Sequence, residues 1–100
     1  MSDTVDRSKL NETEIIRVRY WAAAKAAAGV DSDELPVSGP VTLAEVLAEA
    51  VARHPGTRLA EVLAVCSTLV GDQPVGTADP SSVVVEPGSS VEFLPPFAGG

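Results

Sequence analysis

Thr42-Leu43-Ala44-Glu45-Val46-Leu47-Ala48-Glu49-Ala50-Val51-Ala52-Arg53 is the stretch on which the fold turns. Thr42 is a good helix N-cap, and Glu45 three residues on completes a capping box, in which each side chain accepts from the other residue's backbone N–H. Leu43, Val46, Leu47, Ala50 and Val51 then recur at helical spacing and form one apolar stripe. Glu49 and Arg53 stand four apart on the other face, in the favourable order for a weak ion pair. His54-Pro55-Gly56 stops the helix, because Pro55 disfavours helical geometry at His54. One long helix with one apolar stripe needs a sheet to cover.

Working outward, Ile15 to Trp21 alternates, with Ile16, Val18 and Tyr20 on one face and Arg17, Arg19 and Trp21 on the other. That is the period of a half-buried strand. Ala22 to Ala28 reads as a short helix capped by Gly29. A strand is expected at Asp33 to Val37, before the Ser38-Gly39-Pro40 turn. Beyond the long helix, a helical turn is expected at Arg58 to Leu63, then strands at Cys66 to Val70 and Gln73 to Val75 around Gly71-Asp72. Ala78-Asp79-Pro80 reads as loop and Glu86-Pro87-Gly88 as a turn. Ser90 to Leu94 is the last strand, with Val91 and Phe93 on one face and Glu92 and Leu94 on the other. This order gives an α+β fold, a β-grasp with a mixed sheet packed on one main helix. The domain spans 13–94, after a polar leader, 1–12, expected to be disordered, and before an extended tail, 95–100.

With 100 residues, 45% apolar and 21% charged, the chain has the size and composition of one globular domain. Its net charge of −7 argues against nucleic acid and against an anionic membrane surface. It suits either a solvated acidic surface or basic protein partners. Neither a membrane span nor a signal-peptide core is present in the sequence, which points to the cytoplasm. One Cys and one His exclude a disulfide and a zinc tetrad, so no metal and no cofactor are expected. Cys66 lies in an apolar run and reads as a buried, inert thiol. His54 reads as a group capping the C-terminus of the long helix. No catalytic constellation is left, and alone the chain is not expected to be an enzyme.

The C-terminus is the informative part. Glycine is about 7% of average sequence, so a terminal pair such as Gly99-Gly100 arises by chance in roughly 0.5% of chains. The pair follows Pro95-Pro96, which fix the backbone in an extended path directly after a core strand. The four residues beyond Pro96 span about 12 Å at roughly 3.1–3.4 Å each. Two residues without side chains can enter a channel closed to all others. Such an arm presents a slim carboxylate inside another protein.

The opening Val18-Arg19-Tyr20-Trp21-Ala22-Ala23-Ala24-Lys25 with Gly29, and the ending Val91-Glu92-Phe93-Leu94-Pro95-Pro96-Phe97-Ala98-Gly99-Gly100, resemble the MoaD/ThiS family of bacterial sulfur carriers. The Phe-Leu-Pro-Pro run is similar to its molybdopterin synthase small-subunit branch; thiamine-pathway carriers usually lack the proline pair. The resemblance implies that an ATP-dependent adenylating enzyme activates Gly100 and that a sulfur donor converts it to a thiocarboxylate. The tail then enters the molybdopterin synthase large subunit, and the sulfur passes to cyclic pyranopterin monophosphate in molybdenum cofactor biosynthesis. Catalytic side chains belong to the large subunit. A carrier for thiamine or cysteine synthesis, or a ubiquitin-like protein modifier, remains open.

Adjacent first and last strands would put Arg17, Arg19 and Trp21 on one outward face with Glu92 and Leu94. A tryptophan partly covered by the short helix is the plainer account of Trp21. Its place beside the tail points instead to a docking surface, with Trp21 and Leu94 at the centre and Arg19 and Glu92 on the rim. Pro74 enters this surface by the resemblance, while Pro95, Pro96 and Phe97 lead the tail into the partner.

Overall fold

The computed structural model describes residues 14–96. The expected leader, 1–12, and the tail residues Phe97, Gly99 and Gly100 lie outside them.

Strand β1 (Ile15–Tyr20) buries Ile16, Val18 and Tyr20 and exposes Arg17 and Arg19, as the alternation requires. Helix α1 (Ala22–Ala28) ends on Gly29, whose left-handed φ of 80° suits a residue without a Cβ and lets its N–H reach Lys25 O. Strand β2 (Ser32–Pro36) runs antiparallel to β1 and starts one residue earlier than expected, because Arg19 already pairs with Ser32. A two-residue strand β3 (Val41–Thr42) leads into helix α2 (Leu43–Ala52). Both arms of its capping box form: Glu45 N–H donates to Thr42 Oγ1 at 3.1 Å, and Thr42 N–H to Glu45 Oε1 at 2.8 Å.

Helix α3 (Leu59–Val65) is a full element rather than the turn expected at Arg58 to Leu63, and it buries Leu59 and Leu63. Strands β4 (Ser67–Val70) and β5 (Gln73–Pro74) form a hairpin across Gly71. A 3₁₀ turn (Pro80–Ser82), strand β6 (Val84–Val85) and strand β7 (Ser90–Leu94) complete the chain. The main sheet has the order β2-β1-β7-β4-β5, with β1 and β7 parallel, and β6 pairs with β3 as a separate ladder that the sequence did not suggest. The mixed sheet and the α+β class are as expected. The helical layer, however, holds α3 and α1 beside the main helix.

The core is aliphatic around Tyr20 and Phe93, whose rings stack at 6.2 Å. Leu43, Val46 and Ala50 of α2 are buried in it, with Leu47 and Val51 packed against its margin.

His54 departs from its expected role. Arg53 holds the C-cap position of α2, and the half-buried His54 ring turns to β2, where Nε2 lies 2.6 Å from Asp33 Oδ2. The Tyr20 hydroxyl donates to that same oxygen at 2.9 Å, and the Tyr20 and His54 rings meet edge to face. A partly buried carboxylate attracts the ring more strongly than exposed helix carbonyls do, because solvent screens it less. Burial above all, and then the Asp33 hydrogen bond and charge, push the Tyr20 phenol well above its ordinary value.

The consequence is a pH dependence of known sign. Above about pH 10 the unfolded chain loses the tyrosine proton while the folded one keeps it, so stability falls as pH rises. Tyr20 is the only tyrosine. Denaturation midpoints from pH 8 to 12 (roughly the range in which a free phenol ionises), read by phenolate absorbance, should show Tyr20 ionising only as the protein unfolds. In Tyr20→Phe the decline should disappear, at a cost of about 1 kcal/mol at neutral pH.

Candidate functional site

Pro95 and Pro96 follow directly from β7, the middle strand of the sheet. Parallel pairing sets Val18 beside Val91 and Tyr20 beside Phe93 on the inner side, and Arg19 beside Glu92 on the outer. Trp21 N–H donates to Phe93 O at 3.0 Å and carries this ladder one residue past the end of β1. There the chain turns: Trp21 is extended and Ala22 takes a φ of 51°, a left-handed conformation that costs a residue with a Cβ roughly 1–2 kcal/mol. The corner is thus fixed where strand, helix and tail root meet.

Trp21 is 41% exposed. Its indole Nε1–H donates to Glu92 Oε1 at 3.0 Å, and the Arg19 guanidinium sits 5.1 Å from the ring centroid, within cation–π range. The structure therefore gives Trp21 two polar partners that sequence reasoning did not foresee. Leu94 lies on the same face, two residues beyond Glu92 and half-buried opposite Ser67.

The β4 register extends the surface. Leu69 stands opposite Glu92, and Pro74 opposite Leu69, so Leu69 and Pro74 share the outer face with Glu92 and Leu94. Pro74 is exposed and Leu69 half-buried. Leu69 was missed, since β4 carries apolar residues on both faces and only its pairing separates them. Arg17 is drawn to the edge of this face by Glu34, at 2.8 Å. Pro95 and Pro96 are exposed immediately beyond β7.

Cys66, directly after α3, is half-buried rather than fully enclosed, and burial pushes its thiol pKa up, which disfavours the reactive thiolate. Among the described residues no cluster of three or more His, Cys, Asp or Glu is placed to hold a metal, and no helix is long and apolar enough to cross a membrane.

A β-grasp whose last strand lies at the centre of a mixed sheet defines the ubiquitin-like class of fold. The ThiS family model matches residues 18–100, and the chain belongs to that family. Solved structures agree on the fold. A Pyrococcus furiosus protein assigned as subunit 1 of molybdopterin converting factor shares 20% identity at a TM-score of 0.66, over 83% of this chain and 98% of its own. Small archaeal modifier protein 1 of Haloferax volcanii shares 18% at 0.67, over 83% and 98%. A complex of subunits 1 and 2 of the molybdopterin-converting factor from Helicobacter pylori contains a chain 23% identical at 0.58, over 86% and 99%. Among curated proteins none matches the sequence significantly. The chain thus has the fold of ThiS/MoaD-type ubiquitin-like sulfur carriers.

Neighbouring residues on opposite faces should respond differently to truncation. Phe93→Ala, in the core, should cost about 3–5 kcal/mol in urea unfolding. Trp21→Ala should cost about 1 kcal/mol, the loss of one hydrogen bond and a solvated cation contact. Cys66→Ala should cost roughly 1–2 kcal/mol in the same unfolding measurement.

Proposed function

We propose that this chain is the sulfur-carrying small subunit of molybdopterin synthase, acting in the cytoplasm with its C-terminal Gly100 as the working group. The observation that carries the reading is the passage of a buried central strand straight into a proline pair, Phe93-Leu94-Pro95-Pro96, next to an outward tryptophan. The sequence then ends in Gly99-Gly100. The Helicobacter pylori complex of subunits 1 and 2 supports the presence of a large-subunit partner.

In the proposed cycle a Gly100 carboxylate oxygen attacks the α-phosphate of ATP on an activating enzyme and pyrophosphate leaves. Sulfur from a donor then displaces AMP, giving the thiocarboxylate. Inside the large subunit that sulfur passes to cyclic pyranopterin monophosphate, and hydrolysis returns the carboxylate. This chain supplies the reacting terminal atom, the slim Gly99-Gly100 tip and the docking face; the partners supply the acid–base chemistry. Trp21, Leu94 and Pro74 form the apolar part of that face, Arg19 and Glu92 its polar rim, and Pro95, Pro96 and Phe97 the entry to the channel.

The similarity to a small archaeal modifier protein favours one second reading, a ubiquitin-like modifier joined to lysines through Gly100. The two share activation and differ in product. Incubation with activating enzyme, ATP and sulfide should replace one oxygen by sulfur in the intact mass, and removal of Gly100 or a C-terminal extension should abolish this. Sulfur transfer by an extended, untrimmed protein would sink the carrier reading. Amide-linked conjugates that survive thiols, without binding of a pterin-processing large subunit, would favour the modifier. In calorimetric titration of the large subunit, Trp21→Ala should weaken binding about 30-fold, from the loss of roughly 2 kcal/mol at a buried aromatic contact.

A further inference from the structure

Strand β2 is the outer strand of the main sheet on the side away from β5. Among the described residues nothing pairs with its far edge. Tyr20 N–H donates to Asp31 O, and Val37 N–H to Glu14 O. With Arg17 opposite Glu34, the antiparallel alternation turns the backbone groups of Asp33 and Leu35 toward β1 and those of Ser32 and Glu34 outward. The outward edge therefore offers two N–H groups and, with Pro36, three carbonyls.

A groove runs beside this edge, between β2 and α2. Its apolar part comes from Leu35, Val37, Val41 and Val46, and Glu45, Glu49 and Arg53 follow one another at helical-turn spacing along its rim, two acids to one base. The Glu49–Arg53 pair is long, at 3.4 Å, and exposed. Glu45 gives Oε1 to its cap, and its Oε2 has no partner among the described residues. Edge groups of this kind pair with an extended chain, whose alternate side chains fill an adjoining groove.

Charge selects the occupant. A second copy of this chain would set Asp33 and Glu34 against identical acids in a molecule of net charge −7, and like charges opposite one another destabilise a ladder. Pro36 withholds one donor and further blunts pairing between copies.

We infer that the β2 edge and its groove form a second docking site, for an extended segment of a partner protein in which apolar residues alternate with Lys or Arg. The apolar side chains pack over Leu35 and Val46. The basic ones lie on the outer face and meet Glu34, sharing its carboxylate with Arg17, which holds it at 2.8 Å. The site lies on the far side of β1 from β7, so a partner held there leaves the β7 end of the outer face free.

The test is amide NMR of the full chain titrated with acetyl-Lys-Val-Arg-Val-Lys-Val amide. Saturable shifts should appear at Ser32 and Glu34, with at least tenfold slower hydrogen exchange there, while the Trp21 indole signal stays in place. The same peptide with Glu for each basic residue should not bind. Glu34→Lys, at an exposed position, should weaken binding at least fivefold, with spectral changes in the variant alone confined to the neighbourhood of Arg17. Any of four results overturns the site: no saturable shift at Ser32 and Glu34, shifts centred on Trp21, equal binding of the acidic peptide, or protected Ser32 and Glu34 amides in the protein alone. Sulfur loading of Gly100 is read separately, so failure here leaves the carrier reading untouched, and failure of loading leaves this site standing.

Discussion

The parallel ladder between β1 and β7 joins residues from opposite ends of the chain, and the other elements are arranged by it. A parallel pair cannot be closed by a tight turn, so everything between Tyr20 and Ser90 serves as the connection. That connection carries α2 across the sheet and supplies β4, the other neighbour of β7. Val18, Tyr20, Val91 and Phe93 meet on the inner side as a result, each fully or nearly fully buried. Burial of each such side chain contributes about 1.5–3 kcal/mol, so the ladder is also the centre of the core. Because β7 is paired on both sides as far as Phe93 and with Ser67 of β4 at Leu94, Pro95 starts from a hydrogen-bonded strand end.

The parts of the fold that were legible in the sequence are those whose signal is local. Alternation over Ile15 to Tyr20 and Ser90 to Leu94 gave both central strands with their faces, and Thr42 with Glu45 gave the start of α2 to the residue. Strands β3 and β6 are two residues each, too short to carry a period, and only their mutual pairing defines them. Helix α3 was underestimated because Leu59 and Leu63 mark just one turn of an apolar stripe; its length comes from packing, with Leu59 wholly buried. His54 was misplaced for a related reason. Its neighbours in sequence suggest a helix end, whereas its partner Asp33 is 21 residues away in β2.

The candidate site divides in the same way. The outward placement of Trp21, Arg19, Glu92 and Leu94 follows from alternation together with adjacency of the terminal strands. The hydrogen bond from Trp21 to Glu92 spans 71 residues, and no spacing rule contains it. Leu69 joins the face through the β4 register alone, because a one-residue slip would have turned it inward and Val70 outward.

Tyr20 and Trp21 are consecutive, and each anchors a polar cluster on its own side of the sheet. Inside, the phenol and the imidazole share one Asp33 oxygen at a partly buried point, which ties β1, β2 and the end of α2 together. Outside, Glu92 and Arg19 hold the indole where solvent screens both contacts, so they contribute little to folding and cost little to exchange. This asymmetry separates the contacts that hold the fold together from those open to exchange. The inner cluster joins β1, β2 and the end of α2 immediately before the corner at Ala22. The outer contacts hold the ring in place, which lowers the entropy lost on docking, and they break up the apolar surface while the protein is unbound. The division between the partly buried contacts that tie the elements together and the solvated contacts on the outer face falls between two adjacent residues.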